Sequence, residues 1–176
     1  MKPEVKNSRL VYEGKVFKVL IDEIVEAGIS YNREMVIHNG SSVIVPVFDD
    51  KTVALVKQYR HPAGKYLVEI PAGSIENDET PEECARRELE EEIGVRAGKL
   101  EKLTEFFVSP GFLSEKMHVF LATELKPTKQ KPEFDELLQI KRLDFEQLFK
   151  MIKNCEIEDA KTMLGVLLAG IKLNLL

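Results

Sequence analysis

Thiols are scarce in this chain, and Cys84 and Cys155 are its only two cysteines. They lie far apart, so they provide neither a disulfide framework nor a paired ligand spacing for zinc. Histidine is nearly as sparse, and His38, His61 and His118 fall in three separate segments; no zinc site is expected. Long apolar runs are missing as well. The most apolar stretch, Met163 to Ile171, is interrupted by Lys172, well short of the ~20 residues that cross a bilayer. The opening Met-Lys-Pro-Glu-Val-Lys-Asn-Ser-Arg has no apolar core of a secretory signal, so a cytoplasmic, membrane-free protein is expected. There is no surplus of basic charge either. Lys and Arg number 25 against 30 Asp and Glu, a net charge of −5, and the pI is near 5.4. That balance argues against a broad basic face for nucleic acid and favours a small phosphorylated substrate whose charge is met by bound metal. No internal repeat, low-complexity segment or linker stands out.

What is present describes one folded unit. At 176 residues, 44% hydrophobic and 31% charged, the chain suits a soluble domain with a full core and is too short for two of ordinary size. Strands are expected at Val11 to Val25 and Glu34 to Ile37, separated by a turn at Ala27-Gly28. Ser42 to Phe48 and Thr52 to Gln58 form a hairpin signal around Asp49-Asp50-Lys51, and further strands are expected at Tyr66 to Ile70, Leu100 to Val108 and Met117 to Thr123. Late in the chain, Asp144 with Gln147 forms a capping signature ahead of a helix at Phe145 to Ile152, and Asp159 opens a last helix to about Leu173. Strands around a central helix, with helices at the end, predict an α+β fold, a mixed α/β/α sandwich. Residues 1–40 form an antiparallel strand region and residues 41–176 the main domain.

The densest chemistry lies in Gly73-Ser-Ile-Glu-Asn-Asp-Glu79-Thr-Pro-Glu-Glu-Cys-Ala-Arg-Arg87-Glu88-Leu-Glu-Glu91-Glu92-Ile-Gly94-Val95. Thr80 caps a helix whose first residue is Pro81, and Glu83 completes a capping box. Gly94 supplies the left-handed stop. Between them Ala85, Leu89 and Ile93 form an apolar stripe, and Glu88, Glu91 and Glu92, spaced by three and four, share the neighbouring stripe. Like charges at these spacings repel. A hard divalent cation with oxygen ligands relieves that repulsion and suits phosphate chemistry, while Arg87 is placed to brace a carboxylate through the turn below.

The order of these residues resembles the Nudix box: Gly, five residues, Glu, seven residues, Arg-Glu, an aliphatic residue, any residue, Glu-Glu, any residue, Gly and an aliphatic residue. Gly73, Glu79, Arg87, Glu88, Leu89, Glu91, Glu92, Gly94 and Val95 match every fixed position. The flanks are similar to the ADP-ribose pyrophosphatase branch of that family. They are Val56-Lys-Gln58-Tyr59-Arg60-His-Pro62, Glu69-Ile-Pro71-Ala72-Gly73 and Ser109-Pro110-Gly111-Phe-Leu-Ser-Glu115, with Pro110 sixteen residues beyond Gly94.

The resemblance implies a mixed sheet between helices and hydrolysis of the diphosphate of ADP-ribose to AMP and ribose 5-phosphate. It implies Mg²⁺, with Mn²⁺ as substitute, held by Glu88, Glu91, Glu92 and the carbonyl of Ala72. Arg87 and Glu79 brace the helix and loop, and Glu91 and Arg87 count among the catalytic set. A general base is expected from the acidic loop Lys131-Pro-Glu133-Phe-Asp135-Glu136, Glu136 first and Glu133 second. Phe134 interrupts an acidic run that is more continuous in related loops, so the base is not assigned uniquely among Glu133, Asp135 and Glu136. Substrate contacts are expected from Arg60, which can fork onto phosphate oxygens, from Val16 or Phe17 against adenine, from Arg33 and Glu34 across a homodimer boundary, and from Gly111 and Glu115 near the terminal ribose. Alternative readings are a pyrophosphatase for another nucleoside diphosphate sugar such as GDP-mannose or for a flavin dinucleotide, a hydrolase of oxidised nucleoside triphosphates, and a module that senses ADP-ribose without cleaving it.

Overall fold

The structure is a computed structural model and describes residues 2–132, 134 and 137–176. Its first departure from the expected elements is near the N-terminus, where residues 11–25 are not one strand. β1 (Glu4–Glu13) and β2 (Lys18–Glu26) are parted by a turn in which the Gly14 N–H donates to the Phe17 carbonyl at 3.0 Å. Val11, Tyr12, Val16 and Phe17 all favour strands, so propensity hides the reversal. The turn is closed by the Tyr12 and Phe17 rings, 5.7 Å apart. β3 (Ile29–Ile37) follows a turn at Ala27-Gly28, where both residues have positive φ, 51° and 81°. The three strands form an antiparallel sheet in the order β1-β2-β3. Residues 105–117 join residues 1–40 in this first compact unit, and the 109–114 turn runs beside β3 through Val36 N–H to the Phe112 carbonyl, 2.8 Å, and Ser114 N–H to the Val36 carbonyl, 2.9 Å.

The second unit comprises residues 41–104 and 118–176. β4 (Ser41–Pro46) is buried along its whole length, which marks it as a central strand covered on both faces. β5 (Thr52–Arg60) follows the Asp49-Asp50-Lys51 turn. That hairpin is reduced to one bridge, Val47 to Val53, because the strands then separate into different sheets. β5 pairs with β6 (Lys65–Glu69). β7 is a three-residue strand, Ala72–Ser74, antiparallel to β4, and α1 runs from Pro81 to Ile93. β8 (Val95–Phe107) and β9 (Lys116–Pro127) complete the four-stranded order β7-β4-β9-β8. β10 (Gln139–Asp144) pairs with β5, ahead of α2 (Phe145–Lys153) and α3 (Ala160–Lys172).

The period of two along a strand sends alternate residues of β4 and β9 into different layers. Ile44 and Phe120 join Ala85, Leu89 and Ile93 of α1 in one buried cluster. Val45 and Val119 face α3 instead, where a Cβ on Gly165 would lie 3.1 Å and 3.7 Å from their side chains. Helices thus cover both faces of β4 and β9, the α+β architecture expected. Among the described residues no helix is long and apolar enough to cross a membrane.

Candidate active site

α1 is built by local sequence and then used as a platform. Its capping box is complete: the Glu83 N–H donates to Thr80 Oγ1 at 3.2 Å and the Thr80 N–H to Glu83 Oε2 at 2.8 Å. Gly94 ends it with φ 64°, the left-handed cap that favours glycine. The buried face that presents Ala85, Leu89 and Ile93 to the core also carries Glu88 and Glu92, only 6% and 2% exposed. Two carboxylates one turn apart are therefore held almost out of water.

Arg87 answers part of that charge. Its Nε and Nη2 fork onto Glu79 at 2.9 and 3.0 Å, and its Nη1 donates to Glu88 at 2.6 Å and to Glu91 at 2.9 Å. Nη2 also donates to the Ser74 carbonyl at 3.1 Å, so one guanidinium joins the helix, the 74–80 loop and three carboxylates. Donating to Glu79 raises the pKa of Arg87 further above its ordinary value, and accepting those bonds holds the Glu79 carboxyl below the ordinary glutamate value. Cys84, on the buried side, has its thiol pushed up to about 11, chiefly by desolvation, which keeps it a neutral filler.

β7 lies hard against this face. A Cβ on Gly73 would fall 1.7 Å from Glu88 Oε1 and 2.1 Å from its Cδ, so a side chain there would displace the Glu88 carboxylate from its place beside Arg87. The Ala72 N–H donates to Glu92 Oε2 at 3.3 Å. Of the residues expected to hold metal, Glu88 and Glu91 share Arg87 Nη1 and Glu92 accepts from the Ala72 N–H. Among the described residues, no three His, Cys, Asp or Glu side chains stand together in a cluster that would hold a metal ion. The donors nonetheless fit a hard divalent cation in kind: all are oxygens, and Glu88 and Glu92 are buried one turn apart on the same helix.

The remaining expected residues lie elsewhere. Arg60 closes β5 with its fork already engaged, Nε and Nη2 donating to Glu69 at 2.7 and 2.8 Å. Sequence reasoning missed Glu69 and its second partner Lys161, although a lone acid in Tyr66-Leu-Val-Glu-Ile70 was a visible signal. Within the first unit, Arg33 and Gly111 line one cavity of about 420 Å³ together with Met35, Ile37, Phe107 and Pro110, and Arg33 also lies over the Tyr31 ring at 4.3 Å. Glu34 is exposed on β3, and Val16 and Phe17 are exposed at the β1–β2 turn. Glu115 Oε1 is 3.9 Å from His38 Nδ1. Glu133, Asp135 and Glu136, the candidate bases, lie outside the described residues.

Comparison with known proteins assigns this architecture. Residues 38–164 match the NUDIX domain family. The chain is 40% identical over 159 residues to an ADP-ribose pyrophosphatase of Bacillus subtilis, covering 89% of this chain and 86% of that one. It is 36% identical over 136 residues to a GDP-mannose pyrophosphatase of Escherichia coli, covering 72% and 70%. A crystal structure of an ADP compounds hydrolase superposes with a TM-score of 0.88 over 99% of this chain and 95% of that one, at 24% identity, a likeness of fold.

Two outcomes follow from the geometry. Gly73→Ala is expected to destabilise by about 1–3 kcal/mol, the range for overpacking. Gly111→Ala, where nothing lies within 4 Å of an added Cβ, is expected to leave the unfolding midpoint unchanged; equal midpoints for the two variants in guanidinium refute the steric argument. Because the folded Glu79 carboxyl titrates below its ordinary value, its contribution is present above the ordinary carboxylate range and is lost as pH falls through the lower folded value. Glu79→Gln is therefore less stable than the parent at neutral pH, and the gap closes on acidification. A gap that widens in acid contradicts the sign.

Proposed function

Because the chain belongs to the NUDIX domain family, whose members here are enzymes acting on a pyrophosphate bond, we propose that it hydrolyses the diphosphate of ADP-ribose to AMP and ribose 5-phosphate. The observation that carries this reading is the pair of buried carboxylates, Glu88 and Glu92, set against the glycine-containing strand β7, in a chain whose 40% identical relative is an ADP-ribose pyrophosphatase. Family members generally use a divalent metal ion. We take it to be Mg²⁺, replaceable by Mn²⁺, with Glu88, Glu91, Glu92 and the Ala72 carbonyl as its ligands. When bound, such an ion lowers the pKa of the attacking water and neutralises charge growing on the phosphoryl oxygens.

The chain's own residues do the rest. Arg87 and Glu79 fix the carboxylates and the loop between β7 and α1. Arg60 supplies positive charge to the diphosphate. Arg33, Glu34, Gly111, Glu115, Val16 and Phe17 are assigned to the nucleoside and the ribose, and Glu136, with Glu133 as the alternative, to proton abstraction from water. A cytoplasmic homodimer fits the same reading, since β1 is exposed along all ten residues with Val5, Leu10, Val11 and Tyr12 uncovered. The second reading, a GDP-mannose pyrophosphatase, is favoured by the 36% identical relative.

The test is Mg²⁺-dependent cleavage of ADP-ribose, GDP-mannose, FAD, NADH and 8-oxo-dGTP side by side. ADP-ribose is expected to lead by roughly tenfold or more in kcat/KM, about 1.4 kcal/mol of transition-state discrimination. A lead for GDP-mannose moves the assignment to the second reading, and no cleavage of any substrate moves it to a sensing module. Glu136→Gln is expected to lower kcat at least about a hundredfold, measured with ADP-ribose at saturation. Near-normal turnover passes the base to Glu133.

A further inference from the structure

Arg60 has more donors than its observed partner uses. Nε and Nη2 donate to the two oxygens of Glu69, whereas Nη1 has no hydrogen-bond partner among the described residues. A guanidinium presents five N–H groups in a fixed fork, so the edge shared by Nη1 and Nη2 remains open, and the side chain is 38% exposed. The hydrogen bonds to Glu69 raise the pKa of Arg60 most, and the charges of Glu69, Glu92 and Asp159 add to this. Arg60 is therefore within electrostatic reach of the carboxylate that α1 buries.

Behind it, Glu69 is 2% exposed and pairs with a second cation, the buried Nζ of Lys161. Lys161 also reaches Asp159 at 3.0 Å, and Asp159 caps α3 by accepting the Thr162 N–H at 3.0 Å. Thr162 Oγ1 in turn accepts the Ile70 N–H at 2.9 Å. A continuous chain of contacts runs from the first turn of α3 through Lys161 and Glu69 to the guanidinium at the end of β5. Stability alone does not call for so much, because a buried ion pair is weak evidence for stabilisation and every added buried charge costs desolvation. Two cations share one carboxylate, and the outer one keeps three N–H groups uncommitted.

We propose that Lys161 and Glu69 are positioning residues for the diphosphate, holding Arg60 so that its Nη1–Nη2 edge is presented to a phosphoryl oxygen. This rests on Arg60 being a diphosphate ligand. With Lys161 satisfying the inner side of Glu69, Arg60 stays at the outer end of the chain instead of folding inward over the buried charge. The two cations are not equivalent, since only the planar fork can grip Glu69 with one edge and an anion with the other.

The experiment is a double-mutant cycle on Arg60 and Lys161, reading kcat and KM for ADP-ribose with saturating Mg²⁺. Arg60→Ala is expected to raise KM at least about tenfold. Lys161→Met is expected to raise KM about fivefold with kcat within about twofold, Lys161→Arg to restore most of the loss, and the double variant to match Arg60→Ala alone. An unchanged KM in Arg60→Ala overturns the reading of Arg60 itself. A raised KM there, with Lys161→Met unaffected or the two effects additive, overturns the positioning role and leaves that reading standing. Where Lys161→Met does not fold, Glu69→Gln takes its place in the cycle, with the same expected non-additivity and the same refuting outcomes.

Discussion

Holding Glu88 and Glu92 one turn apart on the buried face of α1 is the constraint to which the rest of the site responds. The two carboxylates are 6% and 2% exposed, where like charges repel more strongly than on a solvated helix. Three features offset this. Arg87 gives Nη1 to Glu88, the Ala72 N–H reaches Glu92, and Gly73 leaves the volume into which Glu88 extends. The glycine and the arginine are thus parts of one electrostatic solution, and the helix cap and left-handed stop fix the register in which it works.

The two faces of the central strands divide the labour. Ile44 and Phe120 anchor α1, whereas Val45 and Val119 face α3, so a single pair of strands fixes both the helix that bears the buried carboxylates and the helix that bears Lys161. Each helix brings its own ion cluster to the sheet: Glu79, Glu88 and Glu91 around Arg87, and Arg60, Glu69, Asp159 and Lys161 around the β6 end. Exposed ion pairs of this kind contribute little, but these are partly or fully buried, and removing one partner leaves a charge without its counterion. Such clusters fix geometry more than they add stability.

Local signals were legible in the sequence and nonlocal ones were not. α1 begins at Pro81 and stops at Gly94 as read, because a capping box and a left-handed glycine lie within the helix itself. The same holds for the caps at Asp144 and Asp159. The β1–β2 hairpin was hidden because Val16 and Phe17 are as strand-prone as the residues they interrupt, and the reversal needs only the bond between Gly14 and Phe17. β7 is three residues of Ala, Gly and Ser, whose composition predicts no strand; it exists because β4 offers it a pairing edge. Arg60 is expected to fork onto phosphate oxygens, whereas in the structure its fork is engaged by Glu69, whose other partner lies 92 residues away in sequence. Pairings over that distance leave no trace in spacing or periodicity.

The charge balance constrains the chemistry beyond the family likeness. Glu79, Glu88 and Glu91 share Arg87 and Glu92 is buried one turn from Glu88, so acidic groups crowd the surface beside β7, and the chain as a whole carries −5. A diphosphate is itself an anion and is repelled by such a surface unless positive charge is supplied on the substrate side. In the proposed function that charge has two sources, a divalent cation on the carboxylates and the open edge of Arg60. The first acts on whichever diphosphate is present, because it sees only phosphoryl oxygens. The second adds direction, since a planar fork fixes an oxygen in angle as well as distance. Neither source distinguishes one nucleoside or sugar from another, so discrimination among nucleoside diphosphate substrates has to arise from residues away from the β7–α1 contact, which is why the family's most regular motif is silent on the substrate.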